Sequence, residues 1–185
     1  MTGESHRYLR YEIIVGPMFS GKTTELYRRI HRYKSINKKV CIVNHCLDTR
    51  AEGISTHSGQ EYPAVKIDSL MNFFNSEYFK TTKIIGIDEA QFFTDLKEFI
   101  IASEKTNKII IVAGLDGTFN REPFGKILET IPLCNKIDKL NALCMIRKDG
   151  TPAPFTKRLS NDDSIISIGS TDKYMAVCRE EYLNN

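Results

Sequence analysis

The stretch YEIIVGPMFSGKTTEL (11–26) decides the fold. It opens with an apolar run, YEIIVG (11–16), that is typical of a buried β-strand. The pattern Gly-x4-Gly-Lys-Ser/Thr follows at Gly16–Thr23, and the residues from Gly21 to about Lys34 are predicted to form a helix. A strand, a glycine loop and a helix in this order predict a phosphate-binding loop. A chance glycine-rich turn is the alternative, and the flanking strand and helix argue against it.

The chemistry of such a loop follows from its backbone and from two side chains. Its N–H groups converge on phosphate oxygens, and the helix adds the positive end of its dipole. Lys22 is expected to reach the β and γ phosphates, and the Thr23 hydroxyl to bind Mg²⁺.

Short apolar runs alternate with helical patterns as far as about Leu140. Near-continuous apolar strands belong to parallel sheets that are covered on both faces, so we expect an α/β fold. We take residues 1–140 as the nucleotide-binding domain and 141–185, which is rich in turn signals and has no clear helix, as a small lid or lasso subdomain. Further strands are predicted at KVCIVN (39–44), AVKI (64–67), KIIGID (83–88) and KIIIVAGL (108–115), and further helices at Ser69–Tyr78 and about Thr94–Lys105.

The composition is that of an ordinary globular domain. The 185 residues are 41% hydrophobic and 26% charged, and the net charge of +3 does not call for a nucleic-acid partner. No apolar run approaches the ~20 residues of a membrane span, and the start, MTGESHRYLRYE, resembles no secretory signal. The five scattered cysteines are expected to be reduced thiols in a cytoplasmic protein.

Two acidic residues end the strand KIIGID, at the sheet edge where ligands of open α/β folds collect. Asp88 suits the metal-ordering role of an acidic residue on the strand next to a phosphate loop. Glu89 follows it directly and points elsewhere, so it could deprotonate a hydroxyl or position a water. Two solvated acids at a strand end are the alternative.

The chain resembles the type II thymidine kinase family, which has members in cells, bacteria and large DNA viruses. The resemblance runs from about Tyr11 to Tyr182 in the family's order and approximate spacing. It is carried by GPMFSGKTTEL (16–26), DTR (48–50), THSG (56–59), GIDEAQFF (86–93), AGLDGTFNREPFG (113–125), TKRL (156–159) and DKYMAVCREEY (172–182).

The resemblance implies a P-loop (RecA-like), mostly parallel sheet flanked by helices, and a thymidine kinase activity. Such an enzyme transfers the γ-phosphoryl group of ATP to the 5′-hydroxyl of thymidine, giving thymidine monophosphate for DNA synthesis. By resemblance, Glu89 is the base that takes the hydroxyl proton, and Arg50 is a stabiliser of charge. The implied ATP contacts are Gly16, Pro17, Met18, Phe19, Ser20, Gly21, Lys22, Thr23, Asp48, Arg50, Asp88 and Gln91, with Thr23 and Asp88 also holding Mg²⁺.

The nucleoside side of the site is also implied by the resemblance. A flat pyrimidine suits apolar walls with few polar groups, and a lasso with Thr156 hydrogen-bonds the base. Core packing of Phe92, Phe119 and Phe124 is the alternative from the residues alone. The implied nucleoside contacts are Met18, Phe92, Leu115, Phe119, Phe124, Thr156, Ile165, Ile166, Ser167, Ile168, Gly169 and Tyr174.

One feature of the family is altered in this chain. Many members bind Zn²⁺ through two pairs of cysteines, but here Cys144 and Cys178 stand with Arg147 and Glu181 at the second positions. A closed zinc site needs four ligands, so we expect no zinc and an Arg147–Glu181 ion pair instead. The alternative is that both side chains are free in solvent.

The resemblance further implies a homotetramer or dimer and possible feedback inhibition by thymidine triphosphate, without a nucleic-acid or membrane partner. Two other functions use the same motifs. A P-loop ATPase would use Glu89 to orient water, and a nucleotide-sensing module would bind without catalysis. Only the kinase needs a nucleoside to consume ATP.

Overall fold

A parallel sheet with helices on both faces forms the centre of the fold. The computed structural model describes residues 8–48, 54–55, 61–62, 64–159 and 173–184. Its strands are β1 (Arg10–Val15), β2 (Val40–His45), β3 (Ile54–Ser55), β4 (Glu61–Tyr62), β5 (Val65–Ile67), β6 (Ile84–Ile87), β7 (Ile109–Gly114), β8 (Lys136–Lys139), β9 (Ala142–Leu143), β10 (Pro152–Ala153), β11 (Phe155–Arg158) and β12 (Tyr174–Val177). Its α-helices are α1 (Lys22–Lys34), α2 (Leu70–Phe74), α3 (Glu77–Thr81), α4 (Leu96–Ser103) and α5 (Arg179–Leu183), and two 3₁₀ segments cover Ala90–Phe92 and Ile127–Leu133.

The central sheet has the strand order β5-β2-β6-β7-β1-β8. Every pair in it is parallel, so the carboxyl ends of β1, β2, β6 and β7 meet at one edge. The predicted α/β fold with a parallel sheet is confirmed. The strand β3 pairs with β4 as a separate antiparallel ribbon.

Successive side chains of the strands point to opposite faces of the sheet and so form two hydrophobic cores. On β1, Ile13 and Val15 face the layer formed by α2, α3 and α4. Ile14 points to the opposite face, where Leu26 and Ile30 of α1 pack against it. The strands are therefore buried on both faces, which explains their near-continuous apolar sequences.

The helix predicted over Ser69–Tyr78 is divided into α2 and α3. The Ser76 side chain accepts a hydrogen bond from the Phe79 backbone N–H at 3.2 Å, and its own backbone is extended, with φ −80° and ψ 159°. Ser76 therefore starts a new helix, because a serine that caps an N-terminus competes with helix continuation.

Strand β8 was not expected from the sequence. Its residues KIDK pair with β1 at the border of the sheet, and most of this strand is exposed. An edge strand with a solvent-exposed face lacks the apolar run that marks the central strands.

The C-terminal region carries two short antiparallel ribbons, β9 with β10 and β11 with β12. Its small core contains Cys144, Val177 and Cys178, with Phe19 of the phosphate loop packed against it. The expectation of no helix after residue 140 is wrong, because α5 follows Cys178. A five-residue helix is too short to show a helical repeat in the sequence. No helix in the described ranges is both long and apolar enough to cross a bilayer.

Candidate active site

The phosphate loop joins the end of β1 to the start of α1, as predicted. A Cβ atom at Gly16 would lie 2.4 Å from the Leu140 carbonyl oxygen, so only glycine fits there. Gly21 has φ 80° and ψ 18°, a left-handed conformation, directly before α1. Both glycines of the motif are thus required by the backbone.

Two side chains of the loop contact the Pro17 carbonyl oxygen. Lys22 Nζ donates to it at 2.6 Å and Ser20 Oγ at 2.9 Å. Lys22 therefore lies across its own loop rather than extending into solvent.

The hydroxyl of Thr23 donates to Asp88 Oδ2 at 2.9 Å. Asp88 is buried, and its backbone N–H donates to the Val43 carbonyl at 2.9 Å. We expected Asp88 on the strand next to the phosphate loop, and this is wrong: β7 lies between β6 and β1 in the sheet. The Thr23 and Asp88 side chains meet because α1 crosses the face of the sheet above that edge. A half-buried hydroxyl beside a carboxylate is a donor set of the kind that a hard cation such as Mg²⁺ prefers.

Glu89 begins the 3₁₀ segment Ala90–Phe92 in a left-handed conformation, with φ 49° and ψ 42°. Such a conformation is unfavourable for a residue with a side chain, and at functional sites it commonly aims one. Glu89 Oε2 accepts a hydrogen bond from Gln91 Nε2 at 2.6 Å. Gln91 Oε1 in turn accepts from the Leu115 backbone N–H at 3.0 Å. Gln91 was predicted among the ATP contacts, which stays a prediction; in the structure these two bonds join it to Glu89 and Leu115.

Asp48 is buried at the same edge. Its Oδ2 atom accepts from Asn44 Nδ2 at 2.9 Å, and its carbonyl oxygen accepts from Lys66 Nζ. Neither Asn44 nor Lys66 was predicted, since a lone amide and a lone lysine on strands carry no motif. Arg50 lies outside the described residues, as do Ile165, Ile166, Ser167, Ile168 and Gly169.

The predicted aromatic contacts lie apart from the main core. Phe92 and Phe124 are half-buried and meet edge to face with ring centroids 5.8 Å apart. Phe119 is half-buried and lies under the Arg158 guanidinium, 4.7 Å from ring centroid to Cζ. The alternative that these three rings pack in the core is wrong, because none of them belongs to the buried clusters of the described residues.

The C-terminal region contacts the phosphate loop and the predicted nucleoside pocket. Thr156 Oγ1 accepts from the Met18 backbone N–H at 3.0 Å. Tyr174 is buried and its hydroxyl accepts from Arg158 at 3.1 Å. Tyr182 donates to the Phe119 carbonyl at 2.7 Å. Arg158 and Tyr182 were quoted only within motifs, and nothing in the sequence marked their contacts with Phe119.

His45 lies beside Phe92 at the end of β2, with ring centroids 5.9 Å apart. Burial lowers the pKa of His45, and its Nδ1 accepts from the Leu47 backbone N–H at 3.0 Å. An accepting Nδ1 requires the neutral imidazole, so His45 brings no charge to this edge.

The two remaining cysteines of the altered zinc motif are buried free thiols. Arg147 Nε lies 3.4 Å from Glu181 Oε1, so the predicted ion pair is confirmed, and Arg147 also pairs with Glu180. Burial alone would raise the pKa of Cys144, but hydrogen bonds from neighbouring backbone N–H groups lower it. An arginine at a ligand position does not fit zinc. Within the described ranges, no group of three or more His, Cys, Asp or Glu residues is placed to hold a metal.

Comparison with known proteins identifies the same family as the resemblance of the sequence motifs. The family model described as thymidine kinase matches residues 10–182. The thymidine kinase of raccoon poxvirus is 42% identical over 174 residues, covering 94% of this chain and 96% of that protein. Those of monkeypox virus and of vaccinia virus strain Western Reserve are each 42% identical over 175 residues, covering 94% of this chain and 97% of theirs. The chain therefore belongs to the thymidine kinase family.

Proposed function

We propose that this protein transfers the γ-phosphoryl group of ATP to the 5′-hydroxyl of thymidine, giving thymidine monophosphate and ADP. The observation that carries the proposal is the Thr23–Asp88 contact beside the phosphate loop, with Glu89 as the next residue. This contact supports the proposal because it brings Thr23 of the phosphate loop helix to Asp88 at the edge of a parallel sheet where ligands of such folds bind.

The phosphate loop holds the triphosphate of ATP. Backbone N–H groups between Gly16 and Lys22 bind its oxygens, and the N-terminus of α1 adds a favourable dipole. Lys22 moves from the Pro17 carbonyl to the β and γ phosphates. Thr23 and Asp88 would hold Mg²⁺, which neutralises charge on the phosphates when it is bound.

Glu89 acts as the general base. Its carboxylate takes the proton from the 5′-hydroxyl, the hydroxyl oxygen forms a bond to the γ phosphorus, and the bond from that phosphorus to the bridging oxygen of ADP breaks. Phosphoryl transfer depends on positioning and charge neutralisation more than on covalent chemistry. Asp48 and Arg50 complete the ATP side of the site in this proposal.

The nucleoside is held between apolar walls. Phe92 and Phe124 form one side, their contact already made in the structure. Phe119 and Tyr174 are held on the other side through Arg158. The remaining proposed contacts are Met18, Leu115, Thr156 and the residues 165–169.

The proposal extends to the whole molecule. Residues 1–140 form the nucleotide-binding domain and 141–185 the lid over the nucleoside. The protein works in the cytoplasm as a homotetramer or dimer, and thymidine triphosphate binds as a feedback inhibitor.

The test is ATP consumption by the purified protein with and without thymidine. A kinase consumes ATP only when the nucleoside is present, whereas a P-loop ATPase consumes it without one and a sensing module does not consume it. Glu89→Gln keeps the shape and removes the base, so kcat should fall by about 10²–10⁴-fold while ATP still binds. Retention of more than about a tenth of kcat would rule out this role for Glu89.

A further inference from the structure

Gln91 stands between the proposed base and the proposed nucleoside pocket. Its Nε2 donates to Glu89 Oε2 at 2.6 Å, and its Oε1 accepts from the Leu115 N–H at 3.0 Å. The side chain is buried. A buried amide with both ends engaged spans the distance from the base to the pocket wall.

The direction of the amide is fixed by chemistry. A backbone N–H can only donate, so the atom of Gln91 that faces Leu115 must be the oxygen. The nitrogen must then face Glu89, and a carboxylate can only accept. The amide therefore has one orientation in which both contacts are favourable.

Two glycines let neighbouring backbone pass close to Gln91, one beside its side chain and one beside its own backbone. A Cβ atom at Gly114 would lie 2.7 Å from Gln91 Oε1, and one at Gly125 would lie 2.1 Å from the Gln91 carbonyl oxygen. Gly125 also has φ 62°, in the left-handed region that favours glycine. The backbones of β7 and of the loop after Phe124 thus press against this one residue.

We propose that Gln91 is a positioning residue, which holds the Glu89 carboxylate in the direction of the 5′-hydroxyl and ties it to the pocket wall at Leu115. Glu89 leaves the strand in a left-handed conformation, and the Gln91 amide nitrogen holds one oxygen of its carboxylate. In this role Gln91 acts on the reaction through Glu89. The assignment rests on the proposed function of Glu89 as the base.

The kinetic test compares wild type with Gln91→Leu and Gln91→Glu. Leucine removes both hydrogen bonds. Glutamate keeps the acceptor for the Leu115 N–H and removes the donor to Glu89. In each variant kcat should fall about tenfold or more, the scale of a lost hydrogen bond to a charged group. KM for ATP and for thymidine should change by less than about threefold, because positioning acts on the reaction step.

Asn135→Leu is the matched control. Asn135 Oδ1 also accepts from a backbone N–H, that of Tyr11 at 2.7 Å, but at the opposite end of β1 from the site. This variant should lower thermal stability and leave kcat at the wild-type value. A rise in KM for ATP with kcat retained in the Gln91 variants would overturn the proposal and favour direct ATP contact.

A spectroscopic measurement tests the contact independently of activity. The side-chain NH₂ signals of Gln91 are assigned by triple-resonance NMR of the wild-type protein, so the assignment needs no Gln91 variant. Glu89→Leu should shift these signals and speed their exchange with solvent, and unchanged signals would overturn the proposal even if the Gln91 variants fail to fold. Failure of wild type to need thymidine for ATP consumption would instead reject the proposed function, and the NMR result would still decide whether Gln91 holds Glu89.

Discussion

Thr23 and Asp88 are separated by 65 residues of sequence, yet the threonine hydroxyl donates to the aspartate Oδ2 at 2.9 Å. The contact crosses strand β7, which lies between the strands that carry the two motifs. The first turn of α1 is therefore fixed above the end of β6. In the proposed function, this hydroxyl and this carboxylate would hold one cation beside the phosphates.

Asp88→Asn should lower kcat by about 100-fold or more and raise the Mg²⁺ concentration needed for half-maximal rate, because the metal loses a charged ligand. The amide oxygen can still accept from Thr23, so the fold should persist. Thr23→Ser, which keeps the hydroxyl, is the control and should stay near wild type. The measurement is initial rate over a Mg²⁺ titration. An Asp88→Asn enzyme with the wild-type Mg²⁺ dependence would show that this carboxylate does not serve the metal.

Lys22→Ala should abolish ATP-dependent activity and leave the fold intact. The Lys22 ammonium contacts the Pro17 carbonyl of its own loop, and in the proposed function its partner is a phosphate. Thermal melting of the free protein should be close to wild type, while ATP should no longer stabilise the variant. A large loss of stability without ATP would mean that Lys22 is a structural residue.

Thymidine should be strongly preferred over deoxycytidine. We expect the backbone of residues 165–169 to present a donor and an acceptor to the O4 and N3–H edge of thymine, which cytosine inverts. Each buried polar group left unpaired costs ~1–3 kcal/mol. The measurement is kcat/KM for the two nucleosides at saturating ATP. Comparable values would show that the pocket does not recognise this edge of the base.

The central strands and the phosphate loop could be predicted because their signals are local. Ile13 to Val15 and Ile110 to Ala113 are buried between the two helical layers, so these runs are apolar, and Gly16 and Gly21 have positive-φ conformations that favour glycine. Asp88 and Glu89 were found because they end such a strand.

The rest depends on contacts between residues that are distant in sequence. The order of the strands, which separates β6 from β1, leaves no trace in either strand. Gln91 looked like one more polar residue in a motif, and its two hydrogen bonds exist only because the end of β7 passes beside it. The division between α2 and α3 was missed because Ser76 is compatible with both a helix and a cap.

Arg29→Met should destabilise the protein by about 3 kcal/mol, the lower end for a broken buried pair. Arg29 NH1 lies 2.9 Å from Glu12, and both side chains are nearly buried. Arg10 still pairs with Glu12 in the variant, which limits the loss. Arg28→Met is the control on the same helix: its partner Glu25 is shared but Arg28 is exposed, so stability should hardly change. Urea unfolding at pH 7 measures both, and equal losses would contradict the burial argument.

The ion pairs of Glu25 with Arg28 and Arg29 predict a loss of stability at acidic pH. Hydrogen bonds from Arg28 and then Arg29 lower the pKa of Glu25 from 4.5 to about 2. A carboxyl group whose pKa is lowered by folding stabilises the fold above its unfolded pKa, and this contribution is lost as pH falls through the folded value. In Glu25→Gln the fall of unfolding free energy between about pH 4.5 and pH 2 should be shallower than in wild type. An unchanged slope would mean that folding does not lower the pKa of Glu25.

The purified protein should lack a stoichiometric structural zinc. Cys144 and Cys178 are the only thiols at the altered motif, and Arg147, which cannot ligate a metal, contacts Glu181 at 3.4 Å. Its positive charge opposes a cation at that place, and a closed zinc site needs four ligands.

Metal analysis of protein purified without chelator measures this directly, and about one zinc per chain would contradict it. The ion pair itself should contribute little, because Arg147 and its second partner Glu180 are both substantially exposed. Arg147→Ala should therefore melt close to wild type.

Arg147→Cys supplies a third thiol, and together with Glu181→Cys it restores two pairs of cysteines. The double variant should gain zinc and a higher melting temperature that a chelator reverses, because a metal that binds only the folded state stabilises it. A double variant that stays free of zinc would show that the surrounding backbone, rather than the identity of these two side chains, excludes the metal.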